Sequence, residues 1–322
     1  MKKKKTGNKY AKYGYLFSLP FVIIFLIFSL YPILHTFRIS FSDLQGVATG
    51  DIHFHANPFQ NYIDMLDNAT FRVSLRNTVV LWLLNFFPQM VLATTLAAWF
   101  TNKMLNIKMS GIFKTLFYMP NIITAASVAI LFGALFGAPI GPLNDIFMRL
   151  GFLDAPVHFF RNPTTAQGTV VFIQFWMWYG STMIIMIAGI NGINPALFEA
   201  AAIDGANGLQ TFFKVTLPQL KPIMLFTLLT SFIGGMQMFD IPMLLVDRSG
   251  PDNATLTTAV FIYNQAFGPS RMWGRAAAAS MMLFVVCAVI ASVLFFLFRD
   301  KDAIANKKMR KAQNKQLKGG NA

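Results

Sequence analysis

Polar and charged positions thin out six times along the chain for long enough to cross a bilayer. A helix needs roughly 20 apolar residues to span the hydrocarbon core. Such stretches run over about Tyr15–Leu34, Thr78–Phe100, Ile112–Phe136, Thr169–Ile190, Ile223–Val246 and Ala276–Phe298. Each predicts a membrane-spanning α-helix, with Pro120 interrupting the third and Asp240 the fifth. The expected architecture is an all-α membrane protein of six transmembrane helices over 15–298, flanked by basic tails over 1–14 and 299–322. The external loops have room for short interfacial helices but for no separate domain. Lys2, Lys3, Lys4 and Lys5 before the first apolar stretch could open a signal peptide. The stretch is too long for one and lacks a small-residue cleavage site, so it reads as a retained span.

Composition agrees: hydrophobic residues make up 55% of the 322 positions and charged ones only 12%. Soluble domains carry about a quarter charged residues, so this chain lacks the polar surface to cover a water-soluble globule. The net charge of +14 could suggest nucleic acid, but the basic residues sit at the termini and beside the apolar runs. With the amino terminus inside, every lysine falls on the inner side. The outer loops then hold only arginines, among them Arg38, Arg72, Arg149 and Arg271. That asymmetry is the positive-inside pattern; it places both termini in the cytoplasm and argues against nucleic acid. The tail after Arg299 is rich in Lys, Asn and Gln, a composition that predicts disorder and contact with anionic lipid. Cys287 is the single cysteine, so no intramolecular disulfide forms. His53 and His55 lack a third ligand for a metal. No catalytic constellation and no G-x-x-x-x-G-K-[ST] run appears, which predicts a non-enzyme that binds no ATP of its own.

The loop over 191–222, between the fourth and fifth spans, has a clear local grammar. Asn194 can cap a helix whose first position suits Pro195. Glu199 falls in the early part of that helix, where negative charge suits the macrodipole. Ala200, Ala201 and Ala202 favour helix and allow close approach of another backbone; Gly205 and Gly208 permit a sharp turn. A second short helix over Leu209–Val215 should end before Pro218. An amphipathic helix lying on the membrane would need a basic face and bulky anchors, so the Ala-rich stretch fits a protein cleft better.

At these residues the sequence resembles a family. Glu199-Ala200-Ala201, then Gly205, Val215 and Leu217-Pro218 match the EAA motif of binding-protein-dependent importer permeases, with Val215 where isoleucine is usual. The likeness extends over nearly the whole chain to the maltose-type, carbohydrate-uptake branch. It rests also on Tyr31-Pro32, Asn61-Tyr62, Asn77-Thr78, Phe117-Tyr118-Met119-Pro120, Gly141-Pro142-Leu143-Asn144, Phe239-Asp240 and Gly250-Pro251. Asp247-Arg248-Ser249-Gly250-Pro251 stands where that branch has Thr-Gly-Gly-Gly-Pro, and the extra spans and large external insertion of the maltose permease are absent. The resemblance implies the type I ABC importer permease fold in a bacterial cytoplasmic membrane. It makes Glu199, Ala200, Ala201, Asp204, Gly205, Leu217 and Pro218 the element that couples to a cytoplasmic ATPase. The implied partners are a second homologous permease, two ATPase copies that bind the ATP and magnesium, and an external solute-binding protein that delivers a carbohydrate, expected to be an oligosaccharide. No cofactor falls to this chain. The alternative is a secondary transporter driven by an ion gradient, which should show membrane-embedded charge pairs or inverted repeats.

Polar residues within spans are costly and often functional. Asp240 is the one acid inside an apolar run, with Gln237 a turn earlier on the same helical face. Gln174, Trp178 and the adjacent Tyr179 bring an amide and aromatic rings together in the fourth span; rings can stack on a sugar's apolar face while an amide bonds its hydroxyls. Asn85 and Gln89 share a face beside Pro88. For all of these, substrate contact and helix packing both remain open, whereas Asn121 after Pro120 reads as structural.

Overall fold

A computed structural model describes residues 11–46, 52–102, 105, 107–137, 139, 141–246, 249–298 and 309. The basic tails expected over 1–14 and 299–322 lie outside the described residues except for 11–14 and 309, as do Lys103, Asp247 and Arg248. The first span joins α1 (Ala11–Phe25) and α2 (Tyr31–Ile39) through a π-helical turn, Leu26–Leu30. Next come α3 (Gln60–Asp67), α4 (Ala69–Thr101), α5 (Ser110–Ile122), α6 (Ala125–Leu135), α7 (Pro142–Arg149) and α8 (Pro163–Asn191). The loop over 191–222 forms α9 (Pro195–Ile203), α10 (Gly208–Thr211), a second π turn at Phe212–Thr216 and α11 (Leu217–Gln219). The chain continues through α12 (Lys221–Met236), α13 (Asp240–Leu245), α14 (Thr258–Phe267) and α15 (Trp273–Phe298). Among the described residues the β-structure is an isolated bridge between Ser42 and Phe54.

Five helical stretches are long and apolar enough to cross a membrane: Tyr13–Ile39, Ala69–Thr101, Pro163–Asn191, Lys221–Leu245 and Trp273–Phe298. The sixth expected span is a pair, α5 and α6, bent by 94°. Pro120 foreshadows an interruption, but the new start belongs to Thr124. Its backbone is extended and its hydroxyl accepts from the Ser127 amide, a helix N-cap inside the apolar run. The second span begins at Ala69 rather than Thr78, because Asn68 accepts from the Phe71 amide and starts the helix in its polar flank.

The fifth span also breaks. The amides of Gln237 and Met238 reach back only to Gly234 and Gly235, tightening the end of α12, and α13 restarts at Asp240. Gln237 and Asp240 therefore stand on either side of a break and not on one helical face. Pro242 is the third residue of α13, where its missing N–H costs no helical bond, and the Met238 carbonyl lies in the break, outside both helices. The buried Thr257 hydroxyl donates to that carbonyl at 2.7 Å. Two other prolines are accommodated by widening the helix. The Tyr31 amide, before Pro32, and the Leu217 amide, before Pro218, each reach back five residues, to Leu26 and Phe212. The second short helix of the 191–222 loop consequently does not end before Pro218: the π turn relieves the clash of the proline ring with the preceding turn and the helical path runs on.

The chain divides into two compact units. One comprises Arg72–Phe261 with Val285–Ala322. Here α8 packs against α5, α12 and α13, and α6 packs against α13. One apolar core joins Leu81, Val128, Ile173, Met177, Met238 and Ile241; a second joins Ala93, Met183, Met186, Ile190 and Leu220. Asn77 donates to the carbonyls of Asn253 and Leu256, the Thr78 hydroxyl accepts from the Thr258 amide, and Gln167 donates to the Ala254 carbonyl. These bonds pin the segment before α14 to α4 and α8. The other unit comprises Met1–Phe71 with Ile262–Phe284. Buried Asn61 donates to the carbonyls of Ser40 and Ser42, Trp273 donates to the Gly46 carbonyl, and Arg275 pairs with Asp64 at 2.8 Å.

The approach of α5 to α8 depends on one missing side chain. A β-carbon on Gly180 would run into the Phe117 carbonyl and the Tyr118 backbone, whereas one on Gly168 of the same helix meets nothing within 4 Å. Gly180→Ala should therefore cost about 1–3 kcal/mol, the range for overpacking, and lower the thermal unfolding temperature of the detergent-solubilised protein. Gly168→Ala should leave it unchanged or raise it.

Candidate functional site

The loop over 191–222 folds into a capped helical hairpin. Asn194 accepts from the Ala196 amide, and Pro195 opens α9, as its sequence suggests. Glu199 is exposed and lies beyond the first turn of α9, so the macrodipole contributes little to holding its charge. The helix ends in a Schellman motif: the Gly205 amide donates to the Ala202 carbonyl and the Ala206 amide to the Ala201 carbonyl. Gly205 has φ +72. Its constraint is conformational, since a β-carbon there would meet nothing within 4 Å. A reciprocal capping box follows, with Asn207 and Gln210 each accepting from the other's amide at 2.9 Å.

The hairpin is anchored at its base and open at its tip. Leu220 is fully buried among Ala93, Met183 and Ile190, with Phe198 packed beside them. Ala201 is buried, whereas Ala200, Asp204, Gly205 and Pro218 are exposed and Leu217 is half-buried. Ile203, Leu209 and Phe213 are 86%, 72% and 60% exposed. Large apolar side chains at a polar loop tip, beside the carboxylates of Glu199 and Asp204, make a surface suited to a protein partner.

The polar residues of the spans separate into two groups. In the first, Gln89 of α4 donates to the Thr182 hydroxyl of α8 at 2.6 Å, and Trp178 donates from its indole to Gln174 at 3.2 Å. Asn121 donates to the Met177 carbonyl at 3.3 Å, which supports its structural reading. Gln174 and Asn85 are buried, Trp178 is exposed, and Tyr179 is half-buried between the rings of Phe117 and Phe175. Buried Asn85 leaves its side-chain oxygen without a partner. In the second group, Gln237 and Asp240 are both exposed at the break between α12 and α13.

Residues between the first two spans and at the start of α15 add a cluster whose assembly the sequence did not flag. Asp43, His55, Asn61, Asp64 and Arg275 line a cavity of about 170 Å³. His55 lies 3.3 Å from the Asn61 side-chain oxygen, and no group of three metal-ligating side chains occurs among the described residues. The Asp64–Arg275 pair joins positions 211 residues apart, a separation that no local pattern could have signalled.

Known proteins bear on these features. The family model for the binding-protein-dependent transport system inner membrane component matches residues 69–302. The arabinooligosaccharides transport system permease protein of Bacillus subtilis (strain 168) is 34% identical over 280 residues, covering 87% of this chain and 86% of that protein. The lactose transport system permease protein of Rhizobium radiobacter is 30% identical over 289 residues, covering 89% and 94%. A solved bacterial ABC transporter involved in the import of the acidic polysaccharide alginate superposes with a TM-score of 0.74 at 24% identity, over 88% of this chain and 94% of that one. The alginate transporter in complex with an alginate pentasaccharide-bound periplasmic protein gives 0.76 at 22%, over 92% and 98%. Both curated relatives carry the name of transport system permease proteins.

Asn85 offers a direct check on the first polar group. Its oxygen is buried without a partner, and replacing such a group by an apolar one of similar shape is close to neutral or stabilising. Asn85→Leu should keep both uptake and the unfolding temperature. Gln89→Leu should cost about 0.6 kcal/mol, as membrane-buried side-chain hydrogen bonds do on average, and its thermal unfolding in detergent should shift down accordingly.

Proposed function

The chain belongs to the binding-protein-dependent transport system inner membrane components, and from that premise we propose that it is one permease half of an ATP-driven importer of oligosaccharides. The observation that carries the coupling assignment is the hairpin over 191–222. Its Glu199-Ala200-Ala201 helix, the left-handed Gly205 and the continuous turn through Leu217-Pro218 present an exposed, preorganised knob. A knob rigidly joined to the core through Leu220 can transmit a push from a cytoplasmic ATPase to α8 and α12. Glu199, Ala200, Asp204 and Gly205 would meet the ATPase, and Ala201, Leu217 and Pro218 would hold the shape.

The remaining parts follow from that role. Both termini lie in the cytoplasm, in keeping with the confinement of lysine to one side of the spans. Two ATPase copies bind ATP and magnesium, a second related permease completes the path, and an external binding protein delivers the sugar. The path runs past the broken third and fifth spans, where α6 and α13 pack together. Interrupted helices at membrane depth are tolerated where they line a cavity or lie within protein. Gln237, Asp240 and Trp178 are the exposed polar or aromatic groups available to sugar hydroxyls and rings. Gln174 orients Trp178 through their shared hydrogen bond, while Tyr179 packs between the rings of Phe117 and Phe175 behind it. A transporter driven alone by an ion gradient has less support, since no charge pair occurs within the described spans of the larger unit.

Gly205→Val and Glu199→Ala test the coupling role. A β-branched residue at φ +72 is strained by roughly 1 kcal/mol or more, yet clashes with nothing, so insertion and unfolding temperature should change little. Uptake should fall at least tenfold for Gly205→Val and less for Glu199→Ala. The ATPase should dissociate on purification or hydrolyse ATP without transport, and sugar binding by the external protein should stay native. Wild-type uptake by both variants would remove the hairpin from the coupling role.

A further inference from the structure

Met238 and Ile241 are buried in the core with Ile173 and Met177 of α8, while Gln237 and Asp240 beside them are exposed. The segment at the break therefore turns its carboxylate away from the core of its own unit. Among the described residues no hydrogen bond or ion pair engages that carboxylate. Hydrocarbon is a poor neighbour for it on two counts. An ionised group within an apolar span is costly to place in lipid, and non-helical backbone such as that between α12 and α13 needs water or protein around it. An aqueous path satisfies both.

The charge inventory of the larger unit sharpens the point. α8 carries no Asp, Glu, Lys, Arg or His, and neither does α6. In the fifth span the other ionised group is Lys221, at its first residue. Arg72 and Arg76 lie in the first turns of α4, and Lys114 near the start of α5 sits 5.7 Å from the Phe100 ring. Asp240 is thus the one acidic residue within the described membrane-length helices of this unit.

Resting on the importer reading, we infer that Asp240 is a charge filter on the translocation path. It admits neutral oligosaccharides, and amino sugars with an ammonium group, and repels carboxylated sugars. A neutral sugar hydroxyl can donate to the carboxylate, whereas a uronate brings a like charge. The fold does not set this preference, since the superposable alginate transporter is involved in the import of an acidic polysaccharide. Two unit charges about 7 Å apart at an effective dielectric constant between 20 and 80 repel by an amount worth roughly three- to fiftyfold in rate.

The test uses the complete transporter in vesicles, with its second permease, ATPases and binding protein. The probes are a neutral oligosaccharide that it imports and the same oligosaccharide oxidised at its reducing end to the aldonate. Each is held at saturation of the binding protein, with both affinities measured separately. The native transporter should import the neutral sugar about tenfold faster. Asp240→Asn should lower neutral uptake by no more than a few-fold while narrowing the gap to about threefold or less, and Asp240→Glu should keep the gap. Roughly 0.5 M salt should shrink the native gap, because exposed charges are screened; this arm stands even where a variant fails to assemble. Equal native rates, a salt-independent gap, or an Asp240→Asn transporter that assembles but retains the full gap or loses both activities overturns the filter. A native transporter that imports no oligosaccharide at all overturns the carbohydrate reading instead.

Discussion

Inside a bilayer no water takes up a backbone group that the helix leaves free, and this chain places prolines and polar residues within its spans. How each freed group finds a partner shapes the rest of the molecule. The break between α12 and α13 leaves the Met238 carbonyl outside either helix, and the buried Thr257 hydroxyl donates to it at 2.7 Å. That bond holds the segment before α14 against the fifth span, where Asn77, Thr78 and Gln167 also grip it. A helix defect is thereby converted into a tertiary tie. Pro32 and Pro218 are handled differently: the helix widens into a π turn and continues. The first solution breaks a span and redirects it; the second keeps a rod continuous. The broken spans surround the exposed polar groups, and a widened helix builds the hairpin proposed to meet the ATPase.

The sequence made the number and approximate position of the spans legible because burial in lipid is a property of length and apolarity, both local. It made the hairpin legible for a related reason. Asn194, Pro195, Gly205 and the Asn207–Gln210 box act within a few residues of themselves, so their geometry follows from their spacing. What it concealed depends on distant partners or on the competition between two local signals. Pro120 marks a weak point, but the 94° bend needs Thr124 to start a new helix. Treating Gln237 and Asp240 as one face assumed an uninterrupted helix, which the short reach of the Gln237 and Met238 amides rules out. Asn77 and Thr78 carried the family resemblance without an evident role; their partners lie 176 to 180 residues away.

Exposure has different meanings along this chain. None of the most apolar stretch of the first span is buried, and in a bilayer such a surface is simply solvated by lipid. Ile203 at 86% exposure ends α9 beside Asp204 and Gly205, in the hairpin proposed to meet the ATPase, where its surface suits a protein. Asp240 inverts the logic: it is exposed within an apolar span, where lipid is the costly neighbour and water or a partner the comfortable one. The same fractional area therefore points to lipid, to an ATPase or to an aqueous path, depending on the polarity of the side chain and the depth at which it stands. The hairpin and the broken fifth span are joined through α12, which begins one residue after buried Leu220 at the hairpin's base and ends at the Gly234–Gly235 turn beside Asp240. A displacement of the hairpin thus has a single helix through which to reach the polar break.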